Sequence, residues 1–177
     1  MKKVFIQIAL FVAFILIYIL QSTFFNSFTI AGIKPNIIVI YTLFVGLFAG
    51  RNIGTIMGLI FGTYVDIIIG KTVGISSIML GIVGYLGGYF DKNFSKESRI
   101  TIIIMVIGST ILYEVGRYIF NILNIGVTPE INVFSKILLV EVIFNVLITI
   151  IVYPLFQKIG YRIEDNIKGR NILTRYF

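Results

Sequence analysis

Long apolar stretches separated by short polar segments make up most of the chain. Only Gln7 interrupts the first stretch, Val4 to Leu20, and five further apolar stretches follow it. Most are close to the roughly 20 residues that a helix needs to cross a hydrocarbon core of about 30 Å. The pattern predicts six membrane-spanning helices, at about residues 4–21, 36–50, 53–70, 73–90, 100–123 and 136–156.

The second of these stretches is short for a span. We expect it to begin as early as Pro35, to tilt, or to be sheltered by neighbouring helices. Backbone polar groups in lipid must be satisfied within the structure, and the sequence lacks the regular alternation of barrel strands. The predicted fold class is therefore an all-α polytopic bundle, a single membrane domain.

Composition strengthens the membrane interpretation. Of the 177 residues, 58% are hydrophobic and 13% are charged, against roughly 45–50% and 25% in soluble domains. The chain has no Cys and no His, which excludes thiolate metal sites, Cys nucleophiles and the His-based catalytic motifs. The net charge of +7 is expected to reflect interaction of the basic residues with the lipid bilayer and not with nucleic acid.

The distribution of basic residues predicts the orientation. With the N-terminus in the cytoplasm, six spans leave only Lys34, Lys71 and Lys136 outside, and Arg117 lies within a span. The other basic residues are then cytoplasmic: Lys2, Lys3, Arg51, Lys92, Lys96, Arg99, Lys158, Arg162, Lys168, Arg170 and Arg175. The positive-inside rule therefore favours six spans with both termini in the cytoplasm.

The last 21 residues, 157–177, form a basic cytoplasmic tail in this prediction. Ile159, Ile163 and Ile167 recur every four residues, which is compatible with a short amphipathic helix on an anionic leaflet. The alternative is a topology anchor that binds nothing, because cations flanking a span are common.

Glycines recur at helical spacing in the third and fourth spans. They form two flat ridges, Gly54, Gly58 and Gly62 on one span and Gly81, Gly84 and Gly88 on the next. Such ridges let another backbone approach closely. They either pack the bundle against itself or form a docking face for a partner's helix or for a second copy of the chain. In the docking interpretation, Asp66 would fix helix register or cap a partner group at the outer end. Ala9 and Ala13 repeat the spacing weakly on the first span.

Four charged residues lie inside the spans, and all fall in the predicted outer half: Asp66, Glu114, Arg117 and Glu141. Helical spacing places Asn121 with Glu114 and Arg117, and Asn145 with Glu141. One Arg cannot neutralise three carboxylates, so a carboxyl is protonated, a cationic group arrives from elsewhere, or the cluster is wet. Three interpretations stay open: a structural clasp, a pocket open to the outside, and an ion path.

The sequence gives little support to catalysis. It contains no phosphate-binding GK[ST] loop, no GxSxG turn and no DDxxD pair of carboxylates. We therefore expect a protein that is not an enzyme and that needs no metal or cofactor.

A family resemblance rests on residues 30–90. Pro35 and Asn36 follow the long first span, and Gly62, Asp66, Gly70 and Gly74 match a G-x-x-x-D-[IL]-x-x-G-x-x-x-G stretch. This pattern resembles the rod shape-determining protein MreD family, whereas the second half agrees only in hydropathy and length. Glu114, Arg117 and Glu141 are inferred from the residues alone.

The resemblance implies a non-enzymatic scaffold of the bacterial cell-wall elongation complex in the inner membrane. Such a protein works with the single-span protein MreC, alongside MreB, RodA and PBP2, in cell shape and peptidoglycan synthesis. The family also resembles in fold the six-span S components of energy-coupling vitamin transporters. Small-molecule binding for transport is therefore the alternative function.

Overall fold

The computed structural model describes residues 2–69, 74–93, 96, 98–125 and 130–168. The regular elements of these residues are six α-helices: α1 (Lys2–Ser27), α2 (Ile37–Ala49), α3 (Arg51–Ile69), α4 (Ile75–Asn93), α5 (Arg99–Ile125) and α6 (Ile131–Lys168). The prediction of an all-α fold with six helices is confirmed for this part of the chain.

Contacts between helix ends show that the helices run alternately up and down. At one end, the start of α2 meets α6, since the Asn36 N–H donates to Asn145 Oδ1 at 2.8 Å. At the other end, Lys96 follows α4 and reaches Glu164 near the end of α6 at 2.6 Å. We call these the Asp66 end, after the carboxylate that lies there, and the Lys96 end.

Helix α2 is the centre of the bundle. All 13 of its residues are buried, and at 1.5 Å per residue the helix is only about 20 Å long. The hydroxyl of Thr42 in the middle of this helix donates to the Ile38 carbonyl at 2.8 Å, so it needs no partner from outside the helix. The expectation that neighbouring helices shelter the short second helix is confirmed, since α1, α3, α4, α5 and α6 all contact it.

Helix α1 lies at the periphery and is anchored by few side chains. The Phe14 ring stacks on Phe61 with centroids 4.2 Å apart, and the Tyr41 hydroxyl donates to the Leu10 carbonyl at 2.8 Å. The opposite face stays exposed, with Phe5 at 74% and Leu16 at 63%. A helix this apolar with one uncovered face is suited to lipid or to another membrane helix.

Helix α6 extends well beyond the predicted sixth span. Its 38 residues correspond to about 57 Å, and Pro154 lies inside the helix without ending it. Residues 157–168, expected as part of a basic tail, continue the helix, and Ile163 and Ile167 pack against the core. This segment is therefore helical as the isoleucine spacing suggested, but it is docked on the bundle.

Four helical segments are long and apolar enough to cross a membrane: Val4–Ser27, Arg51–Ile69, Arg99–Leu123 and Ile131–Ile167. Two further apolar helices are shorter, Ile37–Ala49 and Ile75–Asp91. These lengths and compositions indicate an integral membrane protein.

Candidate functional site

Asp66 at the end of α3 caps the N-terminus of α4. Its side chain is only 4% exposed. Oδ2 accepts the N–H groups of Gly74 at 2.8 Å and Ser77 at 3.3 Å, and Oδ1 accepts that of Ser76 at 3.3 Å. The first N–H groups of a helix lack partners inside it and carry a partial positive charge. A buried carboxylate at this place satisfies those groups and is stabilised by them.

The connection between α3 and α4 depends on Gly74. This residue has φ +110°, a conformation that L side chains rarely adopt, and in it the N–H points at Asp66. Gly70, the other glycine of the predicted motif in this connection, lies outside the described residues.

The start of α2 is held by side chains from other helices. Asn36 occupies the N-cap position, but its side chain makes no cap hydrogen bond. Instead its backbone N–H donates to Asn145 Oδ1, and the Ile38 N–H donates to Gln21 Oε1 of α1 at 3.1 Å. Asn145 is fully buried and donates through Nδ2 to Thr110 Oγ1 of α5 at 3.0 Å. The N-termini of α2 and α4 are thus both capped by side chains of other helices.

The remaining charged residues gather beside these caps. Arg117 lies 3.8 Å from Glu114 on α5, and its guanidinium stands 5.5 Å from the centre of the Tyr113 ring. The Asn36 side chain lies near the carboxyl groups of both Glu114 and Glu141. Asn36, which leads into α2, is therefore placed where the carboxyl groups of α5 and α6 come together.

The structure thus brings most of the predicted polar residues to the Asp66 end. Arg117 lies within electrostatic range of Asp66, Glu114 and Glu141. Asn121 lies one turn further along α5 and is half-buried. The sequence analysis missed Asn36, Thr110 and Gln21 as members of this network, because each gains its role only from a contact with a distant helix.

The glycine ridge of α3 faces α4 of the same chain. A Cβ added to Gly58 would lie 2.2 Å from the Leu80 carbonyl oxygen, and one added to Gly62 would lie 2.3 Å from that of Ser76. Real Cβ atoms essentially never approach within 3.0 Å. The two backbones are therefore in direct contact, and among the described residues this is the most extensive helix pair of the bundle.

The glycine ridge of α4 faces α3 in turn. A Cβ on Gly84 would meet the Gly54 carbonyl oxygen at 2.1 Å, and one on Gly88 would meet the Arg51 nitrogen at 2.2 Å. A Cβ on Gly81 would first meet the flexible Leu59 side chain, at 2.9 Å. The close approach left open by the sequence is thus observed within the chain, and these faces are covered by its own helices.

Comparison with known families gives a match over most of the chain. The model of the rod shape-determining protein MreD matches residues 2–159. The chain belongs to the MreD family. The predicted resemblance is confirmed, and it reaches well beyond residues 30–90. A search of curated proteins and one of solved structures find no match, so the likeness to S components stays an expectation.

MreD membership indicates a role in rod shape determination. The residues on which the resemblance was based now have physical roles. Pro35 is buried and leads into α2, Gly62 lets α4 approach α3, and Asp66 with Gly74 forms the cap of α4. The motif therefore fixes how α3, α4 and the start of α2 fit together.

At the Lys96 end, this MreD protein has an ion cluster that the sequence analysis missed. Lys96 Nζ lies 2.6 Å from both Asp91 and Glu164. Burial alone would lower the pKa of Lys96, but its hydrogen bonds and charge interactions with these carboxylates raise that pKa above its usual value. Sequence spacing gives no signal for a contact between residues 68 positions apart.

An apolar groove opens between α1, α2 and α6 toward the Lys96 end. Its volume is about 420 Å³, and its walls include Ala9 and Ala13 of α1, Phe44 and Phe48 of α2 and Ile163 of α6. Ala9 is exposed and Ala13 half-buried. Of the small-residue surfaces singled out from the sequence, this one remains open.

Proposed function

We propose that the protein is a non-enzymatic membrane scaffold of the cell-wall elongation complex, whose helices hold MreC and, through it, a complex with MreB, RodA and PBP2. Membership of the MreD family carries this proposal. The architecture supports it, because α2 is wholly buried while α1 keeps an apolar face that few contacts within the chain cover.

In this proposal all six helices cross the inner membrane. Support comes from the alternating helix directions and from the charges at the two ends. Arg51, Lys96 and Arg99 lie at the Lys96 end with the exposed Lys158 and Arg162 of α6. The positive-inside rule then makes the Lys96 end and both termini cytoplasmic. A reporter fused after residue 177 should be active only in the cytoplasm, and an extracytoplasmic signal would refute this orientation.

We place the docking surface for MreC on α1 and its groove. The glycine ridges of α3 and α4 are occupied by each other, which leaves Ala9 and Ala13 as the accessible small residues at four-residue spacing. In lipid, helices associate through close packing and a few polar contacts. A single-span partner would lie along α1 and bury its exposed aromatic and aliphatic side chains.

Cysteine crosslinking tests this surface, and the native chain has no Cys to interfere. We would introduce Val12→Cys on the exposed face of α1 and Ile104→Cys on the exposed face of α5 as the matched control. Both positions are lipid-facing, with exposures of 50% and 63%. With single cysteines in the MreC span, crosslinks should form from residue 12 and not from residue 104.

The packing part of the proposal has its own test. Ala13→Leu narrows the groove and should reduce co-purification of MreC, while Ile104→Leu should not. If the complex forms normally with Ala13→Leu and crosslinks only through α5, the α1 surface is excluded as the docking site.

A further inference from the structure

Among the residues that the structure describes, the basic side chains near the Asp66 end do not balance its buried carboxyl groups. Asp66 is stabilised by the three N–H groups at the start of α4 and by the positive end of that helix. This leaves Glu114 and Glu141 opposite the single guanidinium of Arg117. If all three side chains were charged, the group would carry one uncompensated negative charge inside a membrane protein, which is costly.

Glu141 is the carboxyl group with the fewest compensating contacts. Glu141 is only 6% exposed. Its Oε1 is shielded from solvent and has no hydrogen-bond partner among the described residues. A buried charged oxygen without a partner loses its hydration, and no hydrogen bond compensates for that cost in free energy. Glu114 differs, because Arg117 lies 3.8 Å from it and its side chain keeps 15% exposure.

We propose that Glu141 is a proton-binding site and carries a proton on Oε1 in the folded protein at neutral pH. One proton removes the excess charge and leaves a neutral acid beside the Asn36 side chain. A larger cation fits this place poorly, since less than 1 Å² of Oε1 is accessible. The described residues also contain no group of three or more Asp, Glu, His or Cys side chains that could hold a metal ion.

The site has a mechanical consequence. Asn36 precedes α2, and Glu141 and Asn145 lie one turn apart on α6, so Glu141 lies beside the point where the Asn145 amide holds the start of the central helix. Loss of the proton would place two carboxylates around one Asn side chain and loosen this contact. The inference does not depend on the scaffold role proposed above.

Other titratable groups face the site and need controls. Helix α5 contributes Tyr113, Glu114 and Arg117, and α3 contributes Asp66. Helices α2 and α4 contribute the uncharged side chains of Asn36 and Ser76. A test between about pH 6 and pH 9 stays below the range in which tyrosines ionise and above the range in which exposed carboxyls titrate.

The first experiment measures thermal unfolding of the purified full chain in detergent across this range. Glu141→Gln copies the neutral acid, and the exposed Glu130→Gln is the matched control at the same end. The folded wild-type chain binds one proton more than the unfolded chain, so its unfolding constant should rise with pH, by up to about tenfold per pH unit. Glu141→Gln should lose this dependence, whereas Glu130→Gln should keep it. Equal pH dependence in all three proteins would overturn the proposal.

The second experiment needs no variant that might fail to fold. Infrared spectra of the wild-type chain at neutral pH should contain the carbonyl band of a protonated carboxylic acid, and this band should decrease as the pH rises. It should persist in Glu130→Gln and disappear in Glu141→Gln. A neutral-pH spectrum without the band, or stabilisation by added Na⁺, K⁺ or Mg²⁺ in its place, would show that the site holds no proton.

Discussion

The direct backbone contact between α3 and α4 predicts that Gly58→Ala destabilises the isolated protein. The added Cβ would lie 2.2 Å from the Leu80 carbonyl oxygen, where real Cβ atoms keep at least 3.0 Å, so a gap of about 0.8 Å must open. The atoms in the way belong to the Leu80 and Gly81 backbone, and no side-chain rotation can relieve the clash.

The magnitude follows from two opposing effects. Overpacking of a closely packed contact costs about 1–3 kcal/mol, while alanine gains up to about 1 kcal/mol over glycine inside a helix. Because only movement of a whole helix relieves the clash, we expect the upper part of that range and a net loss of about 2 kcal/mol. For a chain of this size the loss corresponds to a fall in Tm of roughly 4–8 °C.

The matched control is Gly108→Ala on α5. Gly108 also lies inside a helix, but it is exposed and a Cβ there meets nothing within 4 Å. This variant gains helix propensity without a clash, so its Tm should stay unchanged or rise. The assay fuses each variant to a fluorescent protein and follows its size-exclusion peak in detergent after heating.

Two outcomes would refute this reasoning. If Gly58→Ala has the same Tm as Gly108→Ala, the α3 and α4 backbones are not in contact. If Gly58→Ala is as stable as the wild type but no longer co-purifies with MreC, the ridge is a partner face and not an internal one. A lower Tm in the absence of any partner is the result that the structure requires.

Three further predictions use the same melting assay or proteolysis. Asp66→Leu should destabilise the protein more than Asp66→Asn, because Asn keeps an oxygen that can accept from the three N–H groups at the start of α4. Each of these groups costs about 1–3 kcal/mol when it is buried unpaired. Equal losses of stability in the two variants would contradict the capping role. Asn145→Leu should lower Tm strongly because it removes the bond from the start of α2 and leaves that N–H buried, and a neutral effect would mean that water replaces the amide. Lys96→Met should expose the 157–168 segment of α6 to trypsin by removing the cation between Asp91 and Glu164. Since the pKa of Lys96 is raised, the stabilisation by this ion cluster should persist through neutral pH and be lost only above the ordinary lysine range. If Lys96→Met protects the segment from trypsin as well as the wild type does, the cluster does not hold the helix.

Several local features were predictable because they depend on neighbours in the chain. Apolar runs of helical length indicated the membrane and the helices, and the residues from Pro35 to Gly74 indicated the family. The spacing of Glu114 and Arg117 placed them on one face of a helix, where they now lie 3.8 Å apart. Each of these conclusions needs only helix geometry and the cost of placing polar groups in lipid.

The partners of the same residues were beyond the sequence. The small residues Gly54, Gly58 and Gly62 indicate that another backbone comes close to this helix. Their spacing does not tell whether that backbone belongs to the same chain or to a partner. Likewise Asp66 was expected to contact a partner or fix helix register, and it caps α4 of its own chain.

The sequence by itself thus determined that the protein lies in a membrane, where its helices are and which family it resembles, because hydropathy and helical period are properties of consecutive residues. Only the tertiary structure decided that α4 covers the glycine ridge and that Asn36 and Asn145, 109 positions apart, join the start of α2 to α6. It also decided that Glu141 Oε1 is buried without a hydrogen-bond partner among the described residues. These outcomes depend on which surfaces of six similar apolar helices fit together. That choice is made by shape and by buried hydrogen bonds between distant residues.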